Sequence, residues 1–335
     1  MTPEELQILD VIQDGFPIAN RPYEVLAQTL GSPWTETSAF AVVENLRKSG
    51  VIRRLGGVYD SRKLGFVSRL CAGVVPCVSN GAKDDSLLDT FTYFVRKIPC
   101  VTHNYLRSHD YNVWFTIIQE SEDAIDETVK NLMESTRVRN VHIIKPRRFF
   151  KINTVMNFEK SRSELEPRIR KVDCEKNTLE KSDRLRIYLL SGDMPHTLEP
   201  YADLCNQVGL NLDEFLDGIR NDIAFCRMRR LGAVLRHQEA GFSSNAMVCF
   251  DIPSESECIS AGNILKENPH VSHSYEREPF ENFDYNLYAM FHAESREKLD
   301  EYIADAVSEL GNPEYAILHS LRELKKTSFR FFENC

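Results

Sequence analysis

The sequence has no excess of positive charge and no long run of apolar residues. Its 335 residues include 41 Lys and Arg against 50 Asp and Glu, which gives a net charge of −9 at pH 7. Broad binding to nucleic-acid phosphates is therefore disfavoured, although a local basic pocket is compatible with this charge. A helix that spans a bilayer needs about 20 apolar residues in succession, and the sequence contains no such run. We therefore expect no transmembrane helix.

The cysteines lack the pattern of a disulfide framework or a zinc site. There are nine, an odd number, and no two are spaced as Cys-x-x-Cys. This usage is typical of reduced thiols in the cytoplasm. The first residues, Met-Thr-Pro-Glu-Glu, lack the basic and apolar regions of a secretory signal. The sequence thus predicts a cytoplasmic protein without a signal peptide.

A six-residue motif occurs twice. THNYLR occupies 102–107 and SHSYER occupies 272–277, and each follows Pro-x-Val and precedes Tyr-Asn and an apolar run. Other pairs keep the same order, among them RRLG at 53–56 and at 229–232. The spacing between matching segments stays between 170 and 178 residues. A drift this small indicates two copies of one pair of domains, rather than a solenoid of short repeats.

The first part of each copy predicts a winged helix-turn-helix domain. In copy one, Thr2 with Glu5 indicates the start of a first helix, a second covers 22–30, and a third begins near Thr35. Residues 51–59 are rich in β-forming side chains and are interrupted by two glycines. That pattern predicts a hairpin of the wing type.

The second part of each copy predicts a ferredoxin-like domain. Both copies show the order βαββαβ, the split βαβ arrangement. The predicted fold class is therefore α+β, a tandem duplication of a winged helix-turn-helix plus a ferredoxin-like domain. The predicted boundaries are 1–62 and 63–158 in copy one, a charged linker at 159–182, and 183–238 and 239–335 in copy two.

The repeated motif places three kinds of chemistry on one surface. A strand at 101–107 carries His103, Tyr105 and Arg107 at alternate positions, so all three side chains project from the same face. The strand at 271–277 repeats this pattern. A proton donor, a hydroxyl and a fixed cation together suit an anionic ligand, and the sequence predicts two such surfaces.

Several motifs in order resemble those of one enzyme family. They are FPxxxRPY at 16–23, GVIRR at 50–54, THNYxR at 102–107, YNxWFT at 111–116, SHxYxR at 272–277, YNLYxM at 285–290 and KKTS at 325–328. The layout is similar to that of the Lrp/AsnC regulators, and these motifs resemble the siroheme decarboxylases within that superfamily. The resemblance covers nearly the whole chain outside the linker, with both subunit types fused in one chain.

The resemblance implies an activity and its partners. Such an enzyme would convert siroheme to didecarboxysiroheme by removing carbon dioxide from two acetate side chains. No cofactor would be consumed, because the siroheme iron enters as part of the substrate. The product would serve the alternative route to protohaem or the route to the dioxo-type haem of nitrite reductase. The two halves would pair as a pseudo-heterodimer, with a further homodimer possible in principle, and no DNA or membrane partner is expected.

The candidate site residues follow from this chemistry. His103 and His273 are candidate general acids, or one of them an axial ligand of the siroheme iron. Tyr105 and Tyr275 are candidates for orienting the histidines or binding a carboxylate. The candidate substrate-binding cations are Arg53, Arg54, Arg107, Arg229, Arg230, Arg277, Lys151 and Lys325. An Arg on the departing carboxylate would stabilise the ground state, so the reacting group is expected against an apolar wall, Trp114 or Tyr288.

Plainer roles compete with each of these assignments. A strand histidine is most often structural, and the tyrosines suit a core in which the hydroxyl is bonded. His292 lies in a copy-two strand within reach of the pocket, whereas His109 is expected in a loop. Glu276 interrupts the second motif and should face away from His273.

Two other functions fit the same layout. The first is a transcription regulator, but the predicted reading helix at 35–46 has no cation before Arg47, and its counterpart at 213–219 is acidic. Such helices repel phosphate. The second is a haem-binding sensor or carrier, which would use the same His and Arg residues.

Overall fold

The computed structural model describes residues 1–152, 178–236 and 244–333. These residues fall into two units. The first unit contains 1–64, 178–236 and 330–333, and the second contains 65–152 and 244–329. Each unit therefore includes parts of both copies. The predicted linker lies outside the described residues up to position 177, and its last two residues begin a helix.

The described residues of the first unit form six α-helices, two strands and a short 3-10 helix at Ser61–Leu64. The α-helices and strands are α1 (Pro3–Asp14), α2 (Pro22–Leu30), α3 (Glu36–Lys48) and β1 (Ile52–Tyr59) from copy one, and α6 (Lys181–Ser191), α7 (Pro200–Val208), α8 (Leu212–Ala224) and β7 (Met228–Leu235) from copy two.

Capping residues explain where helices of the first unit begin and end. Thr2 and Glu5 exchange side-chain and backbone hydrogen bonds in a capping box before α1. Thr35 and Ser38 form the same arrangement before α3. Helix α2 ends at Gly31, whose φ of 78° lies in the region that favours glycine. The three helix starts predicted in copy one are confirmed.

The wing differs from the prediction. Strand β1 is unbroken and pairs antiparallel with β7 of the other copy, with Gly56 opposite Gly232. A Cβ on Gly56 would lie 2.4 Å from the carbonyl oxygen of Gly192, and a Cβ on Gly232 would lie 2.4 Å from that of Ile12. The predicted hairpin within one copy is wrong, because these glycines allow close backbone approach between helix ends and strands rather than a turn.

The second unit holds one nine-stranded sheet and four helices. The copy-one elements are β2 (Val67–Gly73), α4 (Ser86–Lys97), β3 (Val101–Arg107), β4 (Val113–Gln119), α5 (Glu122–Thr136), β5 (Val141–Ile144) and β6 (Pro146–Ile152). The copy-two elements are β8 (Ser244–Phe250), α9 (Glu255–Glu267), β9 (Val271–Arg277), β10 (Leu287–Ala293), α10 (Arg296–Glu309) and β11 (Tyr315–Lys326). The strand order is β5-β2-β4-β3-β11-β8-β10-β9-β6. The order βαββαβ is confirmed in both copies, and β3 and β9 have the predicted bounds.

The end of each copy crosses to the other copy. Residues 315–319 of β11 pair with β8, and residues 320–326 continue along β3 of copy one. Strand β5 pairs with β2, and β6 then pairs with β9 of copy two. Strand β6 and the second half of β11 were not predicted. The crossing makes each half of the sheet depend on a strand from the other copy.

The buried side chains form cores on both sides of the sheet. Helices α4 and α5 cover the copy-one strands, and α9 and α10 cover the copy-two strands. The helix-free sides of both copies contribute to one further cluster, which we call the shared core: Ala72, Tyr111, Trp114, Ile144, Met247, Cys249, Phe283, Tyr288 and Leu318. Each large apolar side chain buried in this way contributes about 1.5–3 kcal/mol.

Within the described residues, no helix combines the length and the apolar character needed to cross a membrane.

Candidate functional site

Three side chains of β3 form a row on the helix-free side of the sheet. The rings of His103 and Tyr105 are 6.5 Å apart between centroids and nearly parallel, at 17°. The guanidinium carbon of Arg107 lies 5.4 Å from the centre of the Tyr105 ring. Alternate residues of a strand project from the same side, and we call these three side chains the copy-one row.

Strand β9 repeats the arrangement. His273 and Tyr275 stack with centroids 6.1 Å apart at 25°, and the guanidinium carbon of Arg277 lies 4.8 Å from the Tyr275 ring. We call these three side chains the copy-two row. The structure therefore brings six of the predicted site residues together as two similar rows.

The arginine of the copy-one row is buried without a counter-anion. Arg107 is 5% exposed, and it donates hydrogen bonds to the carbonyl oxygen of Leu318 (3.0 Å) and to Oγ of Ser320 (3.1 Å). Among the described residues no carboxylate pairs with it, and its Nε has no hydrogen-bond partner. Burial lowers the pKa of Arg107 to about 10.

Arg277 in the copy-two row has the same character. It contacts the rings of Tyr275 and Tyr288 and donates one long hydrogen bond, 3.4 Å, to the carbonyl oxygen of Ile144. Burial lowers its pKa as well. No described carboxylate pairs with Arg277. A buried cation without an anion is costly, so each row presents a cation that an anionic ligand would stabilise.

The two histidines have different hydrogen-bond partners. Nδ1 of His103 lies 2.9 Å from Oγ1 of Thr102. Nδ1 of His273 lies 2.9 Å from Oγ of Ser272, and that oxygen lies 2.8 Å from Nε2 of His292. In copy two, therefore, the hydroxyl of Ser272 connects His273 to a second histidine, His292.

The crossing strands also make the rows different. The Tyr105 hydroxyl donates to Glu323 of β11 over 3.4 Å, and Lys326 of the same strand lies 3.7 Å from Glu323. Against the copy-two row, the ring of Phe149 in β6 packs edge-on to Tyr275 at 5.4 Å. The copy-one row has ionisable neighbours at this edge, whereas the copy-two row has an aromatic one.

The predicted apolar wall lies inside the shared core. Trp114 is 1% exposed, donates from Nε1 to the carbonyl oxygen of Tyr111 (2.7 Å) and packs against Phe283 and Tyr288. Burial raises the pKa of Tyr288 well above its usual value, which keeps the phenol neutral. Both rings lie on the helix-free side, because Trp114 is opposite Tyr105 and Tyr288 is opposite Tyr275.

The two candidate lysines lie on the other side of the sheet. Nζ of Lys325 donates to the carbonyl oxygens of Val95 (3.1 Å) and Ile98 (2.6 Å) at the end of α4. Nζ of Lys151 donates to the carbonyl oxygen of Asn268 (2.6 Å) at the end of α9. Each lysine thus caps a helix of the other copy. Neither shares the face of the histidines, so we assign both a structural role.

The remaining candidate arginines belong to the first unit. Arg54 donates to the carbonyl oxygens of Gly192 (3.2 Å) and Gly57 (2.9 Å), and Arg230 donates to those of Gln13 and Ala233. Burial lowers the pKa of both arginines to about 10. These bonds tie each strand to a helix end of the other copy.

The arginines that precede them in sequence, Arg229 and Arg53, have different surroundings. Arg229 pairs with Asp60 at 3.2 Å, and its side chain is 31% exposed. Arg53 is half-buried in β1. A substrate-binding role for the four arginines of the first unit stays a prediction.

Glu276 faces away from the copy-two row, as the alternation predicted. Its carboxylate lies 3.1 Å from Nη1 of Arg148, and both residues line a cavity of about 510 Å³ beside α9. At the equivalent position of copy one, Leu106 is packed in the core under α4 and α5. The two copies therefore differ on this side of the sheet as well.

The sequence analysis missed Ser272, Glu323 and Phe149. Ser272 had a usable signal, since a hydroxyl residue directly precedes the histidine in both copies, with Thr102 in copy one. Glu323 and Phe149 reach the rows only through the crossing strands.

The winged helices present little positive charge to a nucleic acid. Arg47 of α3 is 7% exposed and is held by Glu44 (3.0 Å) and Asp193 (2.8 Å). Helix α8 carries two acidic residues, Asp213 and Glu214, in its first turn. A regulator that reads DNA through these helices is therefore not favoured.

Comparison with known proteins decides the family. An AsnC-like ligand binding domain matches 63–151 and 239–325, and a siroheme decarboxylase NirDL-like helix-turn-helix domain matches 5–53. The siroheme decarboxylase of Hydrogenobacter thermophilus is 32% identical over 328 residues, which cover 97% of this chain and 94% of that protein. The chain belongs to the siroheme decarboxylase family.

Family members occur both as one chain and as subunits. The crystal structure of the siroheme decarboxylase NirDL superposes with a TM-score of 0.72 at 27% identity and covers 98% of this chain and 94% of its own. The alpha subunit of the Nitratidesulfovibrio vulgaris siroheme decarboxylase is 45% identical over 41% of this chain and 73% of its own length. The beta subunit from Methanosarcina barkeri is 30% identical over 45% of this chain and 99% of its own. The duplicated chain therefore corresponds in layout to a fused pair.

Proposed function

We propose that the chain is a siroheme decarboxylase that removes carbon dioxide from two acetate side chains of siroheme and yields didecarboxysiroheme for haem biosynthesis. The iron enters as part of the substrate, and no redox cofactor is consumed. The observation that carries the proposal is the pair of His-Tyr-Arg rows, each with a buried arginine that has no carboxylate partner among the described residues. Similarity to a siroheme decarboxylase along 97% of the chain supports it.

The histidines supply the acid that this chemistry needs. Each lost carbon dioxide leaves its bonding electron pair in the tetrapyrrole, and one proton must replace it. Imidazole titrates near neutral pH and is the side chain best suited to donate that proton. His103 and His273 are the candidates, and one of them can instead serve as an axial ligand of the substrate iron.

The arginines bind carboxylates that do not react. A guanidinium group offers a planar pair of donors that matches a carboxylate. A cation on the departing carboxylate would stabilise the charged ground state more than the transition state, and would slow the reaction. Arg107 and Arg277 therefore hold side chains that stay on the ring, while the reacting acetates lie against apolar surface, with Trp114 and Tyr288 as candidates.

The two halves act as a pseudo-heterodimer within one chain. The strand crossing described above and the separate alpha and beta subunits of relatives support this assignment. Further assembly into a homodimer and a cytoplasmic location stay predictions. All seven cysteines among the described residues are free thiols, in keeping with a reducing compartment.

The experiment is anaerobic incubation of the purified protein with siroheme, followed by mass analysis of the extracted tetrapyrrole. We expect a mass loss of two carbon dioxide units. A NirDL crystal structure contains an iron-uroporphyrin III analogue, so such an analogue is a suitable competitor. Tight binding of siroheme without mass loss would contradict the enzyme and favour a carrier or sensor.

A further inference from the structure

The two rows differ in the hydrogen-bond partners of the hydroxyl residue that precedes each histidine. In copy two, the Ser272 hydroxyl lies 2.9 Å from Nδ1 of His273 and 2.8 Å from Nε2 of His292. In copy one, the Thr102 hydroxyl lies 2.9 Å from Nδ1 of His103. All these distances are normal for hydrogen bonds. Within the part of the chain that the structure describes, only the hydroxyl of copy two connects the row to a second imidazole.

Strand register identifies the residue that replaces this imidazole in copy one. His273 lies opposite Met290 of β10, and His103 lies opposite Thr116 of β4. His292 follows Met290 by two residues, and Ile118 follows Thr116 by two. Ile118 therefore occupies the position of His292, and its side chain can neither donate nor accept a proton.

We propose that Ser272 and His292 resupply His273 with protons, so that the copy-two row is the proton-donating row of the enzyme. This inference rests on the proposed decarboxylase function. His273 touches the substrate as the acid, whereas Ser272 and His292 act through it and are positioning residues. The copy-one row has no second imidazole on its hydroxyl among the described residues, and it binds and orients the substrate.

The transfer balances in protons and electrons. The bond between the acetate methylene and its carboxylate breaks, carbon dioxide leaves, and the electron pair stays in the tetrapyrrole. Nε2 of neutral His273 gives its proton to the tetrapyrrole carbon, while Nδ1 takes the proton of the Ser272 hydroxyl. The serine oxygen in turn takes a proton from Nε2 of doubly protonated His292. All three side chains end neutral, with the proton of His273 on Nδ1. Before the second decarboxylation His292 regains a proton from solvent, and His273 releases its Nδ1 proton and takes up one at Nε2 from solvent.

The neighbours of the two rows fit this division. Phe149 packs against Tyr275 in the copy-two row, and an apolar surface favours loss of charge from a carboxylate as carbon dioxide leaves. Glu323 accepts from Tyr105 in the copy-one row, with Lys326 beside it. Ionisable groups at that edge suit the binding of polar substrate groups.

The test compares hydroxyl variants of the two copies by turnover and by siroheme binding. Ser272→Ala should lower kcat by about tenfold or more, as expected for weakened general-acid catalysis, with the Kd for siroheme unchanged. Thr102→Ala removes the equivalent hydroxyl in copy one and should leave kcat within about twofold. Ser272→Thr keeps a hydroxyl and should retain turnover.

A second set of variants tests whether Ser272 and His292 act as a unit. His292→Ile installs the copy-one residue and should match Ser272→Ala in kcat. The double variant should be no slower than either single variant, because residues of one relay are not additive. If Ser272→Ala does not fold, the kcat values of His292→Ile and Ser272→Thr are compared with that of Thr102→Ala instead.

Three outcomes would overturn the relay. They are an equal loss of kcat in Thr102→Ala and Ser272→Ala, a double variant whose loss is the product of the single losses, and no loss in either copy-two variant. In each case the unchanged protein still decarboxylates siroheme, so the proposed function stands. Absence of mass loss with the unchanged protein would instead overturn the function itself, and the relay with it.

Discussion

The hydroxyl of Tyr105 donates a hydrogen bond to Glu323, which lies 218 residues further along the chain. On the other row, Phe149 of copy one packs against Tyr275 of copy two. Each row is thus completed by a strand of the other copy. The crossing strands contribute an acid, Glu323, to the copy-one row and a phenyl ring, Phe149, to the copy-two row. The two similar rows therefore have different chemical surroundings.

Loss of either row histidine should slow the enzyme. We expect His103→Ala and His273→Ala each to lower turnover by at least about tenfold. His273 is the general acid, which contributes about 10²–10⁴-fold, and His103 orients the substrate on the copy-one row. Measurements are initial rates of carbon dioxide release under anaerobic conditions, with circular dichroism to establish that the fold is intact. Full activity in both single variants would contradict the acid assignment.

Removing the charge of Arg277 should separate stability from binding. Arg277→Met should leave the free energy of unfolding unchanged or raise it by about 1–4 kcal/mol, because an unpaired buried charge is replaced by an apolar side chain. Siroheme binding should weaken by about ten- to a hundredfold, as expected for loss of a charge-assisted hydrogen bond. Urea unfolding and spectroscopic titration measure the two effects.

The matched control for that experiment is Arg322→Met. Arg322 lies on the crossing strand β11, its side chain is 44% exposed, and its nearest acid is Asp89 at 3.7 Å. Neither stability nor siroheme affinity should change appreciably. A large fall in stability with unchanged affinity in Arg277→Met would show that the buried cation supports the fold rather than the ligand.

Lys325 should matter for stability and not for chemistry. Lys325→Met removes the side-chain donor from two carbonyl oxygens at the end of α4, each of which keeps a backbone donor. We therefore expect a loss of about 1–2 kcal/mol in the free energy of unfolding. The ratio kcat/KM of the folded protein should be unchanged. Lys266→Met, an exposed substitution in α9, is the control. A large fall in kcat/KM with normal stability would instead return Lys325 to the substrate site.

Asp60 should make the first unit sensitive to acid. Burial alone would raise its pKa, but hydrogen bonds and charge from Arg62 and Arg229 outweigh burial and lower the pKa from 3.8 to about 2. The folded state therefore favours the ionised carboxylate. The stabilisation, about 1–2 kcal/mol after solvent screening, is complete above about pH 5 and is lost progressively as the pH falls from about 5 through the folded pKa of about 2.

The measurement is the difference in urea midpoint between the unchanged protein and Asp60→Asn at a series of pH values. The difference should be constant from pH 7 to pH 5 and should shrink below pH 4. A difference that grows on acidification would mean that Asp60 is protonated in the folded state.

The winged helices should not bind DNA. With Arg47 held by Glu44 and Asp193, and acidic residues at the start of α8, little cationic surface faces a phosphate backbone. We expect no retardation of a promoter fragment at physiological salt. Specific binding that weakens steeply with added salt would restore the regulator hypothesis.

The sequence predicted the rows because they depend only on alternation within one strand. The bounds of β3 and β9 were predicted correctly, since each begins at the valine of a Pro-x-Val step and ends at an arginine. The recurrence of His, Tyr and Arg in both copies then placed them on equivalent surfaces. No knowledge of which strand lies beside which was needed.

The rest depended on partners that are distant in sequence. Lys151 and Lys325 were predicted as substrate-binding cations, but whether they face the substrate or a helix end depends on the crossing of β6 and β11. Likewise, Gly56 resembles a turn residue until the carbonyl oxygen of Gly192 is placed against it. Local pattern cannot distinguish close backbone approach from chain reversal.

The crossing of β11 also has a consequence for synthesis on the ribosome. One edge of β3 stays open until Lys326 has been made, because β11 is the strand that covers it. At 5–20 residues per second that interval is on the order of ten to forty seconds. During this time the nascent chain presents an unpaired strand edge, the kind of surface to which chaperones and other nascent chains attach. Because the two halves are joined in one polypeptide, every β3 is followed on the same chain by one β11, which covers its edge as soon as it has been synthesised.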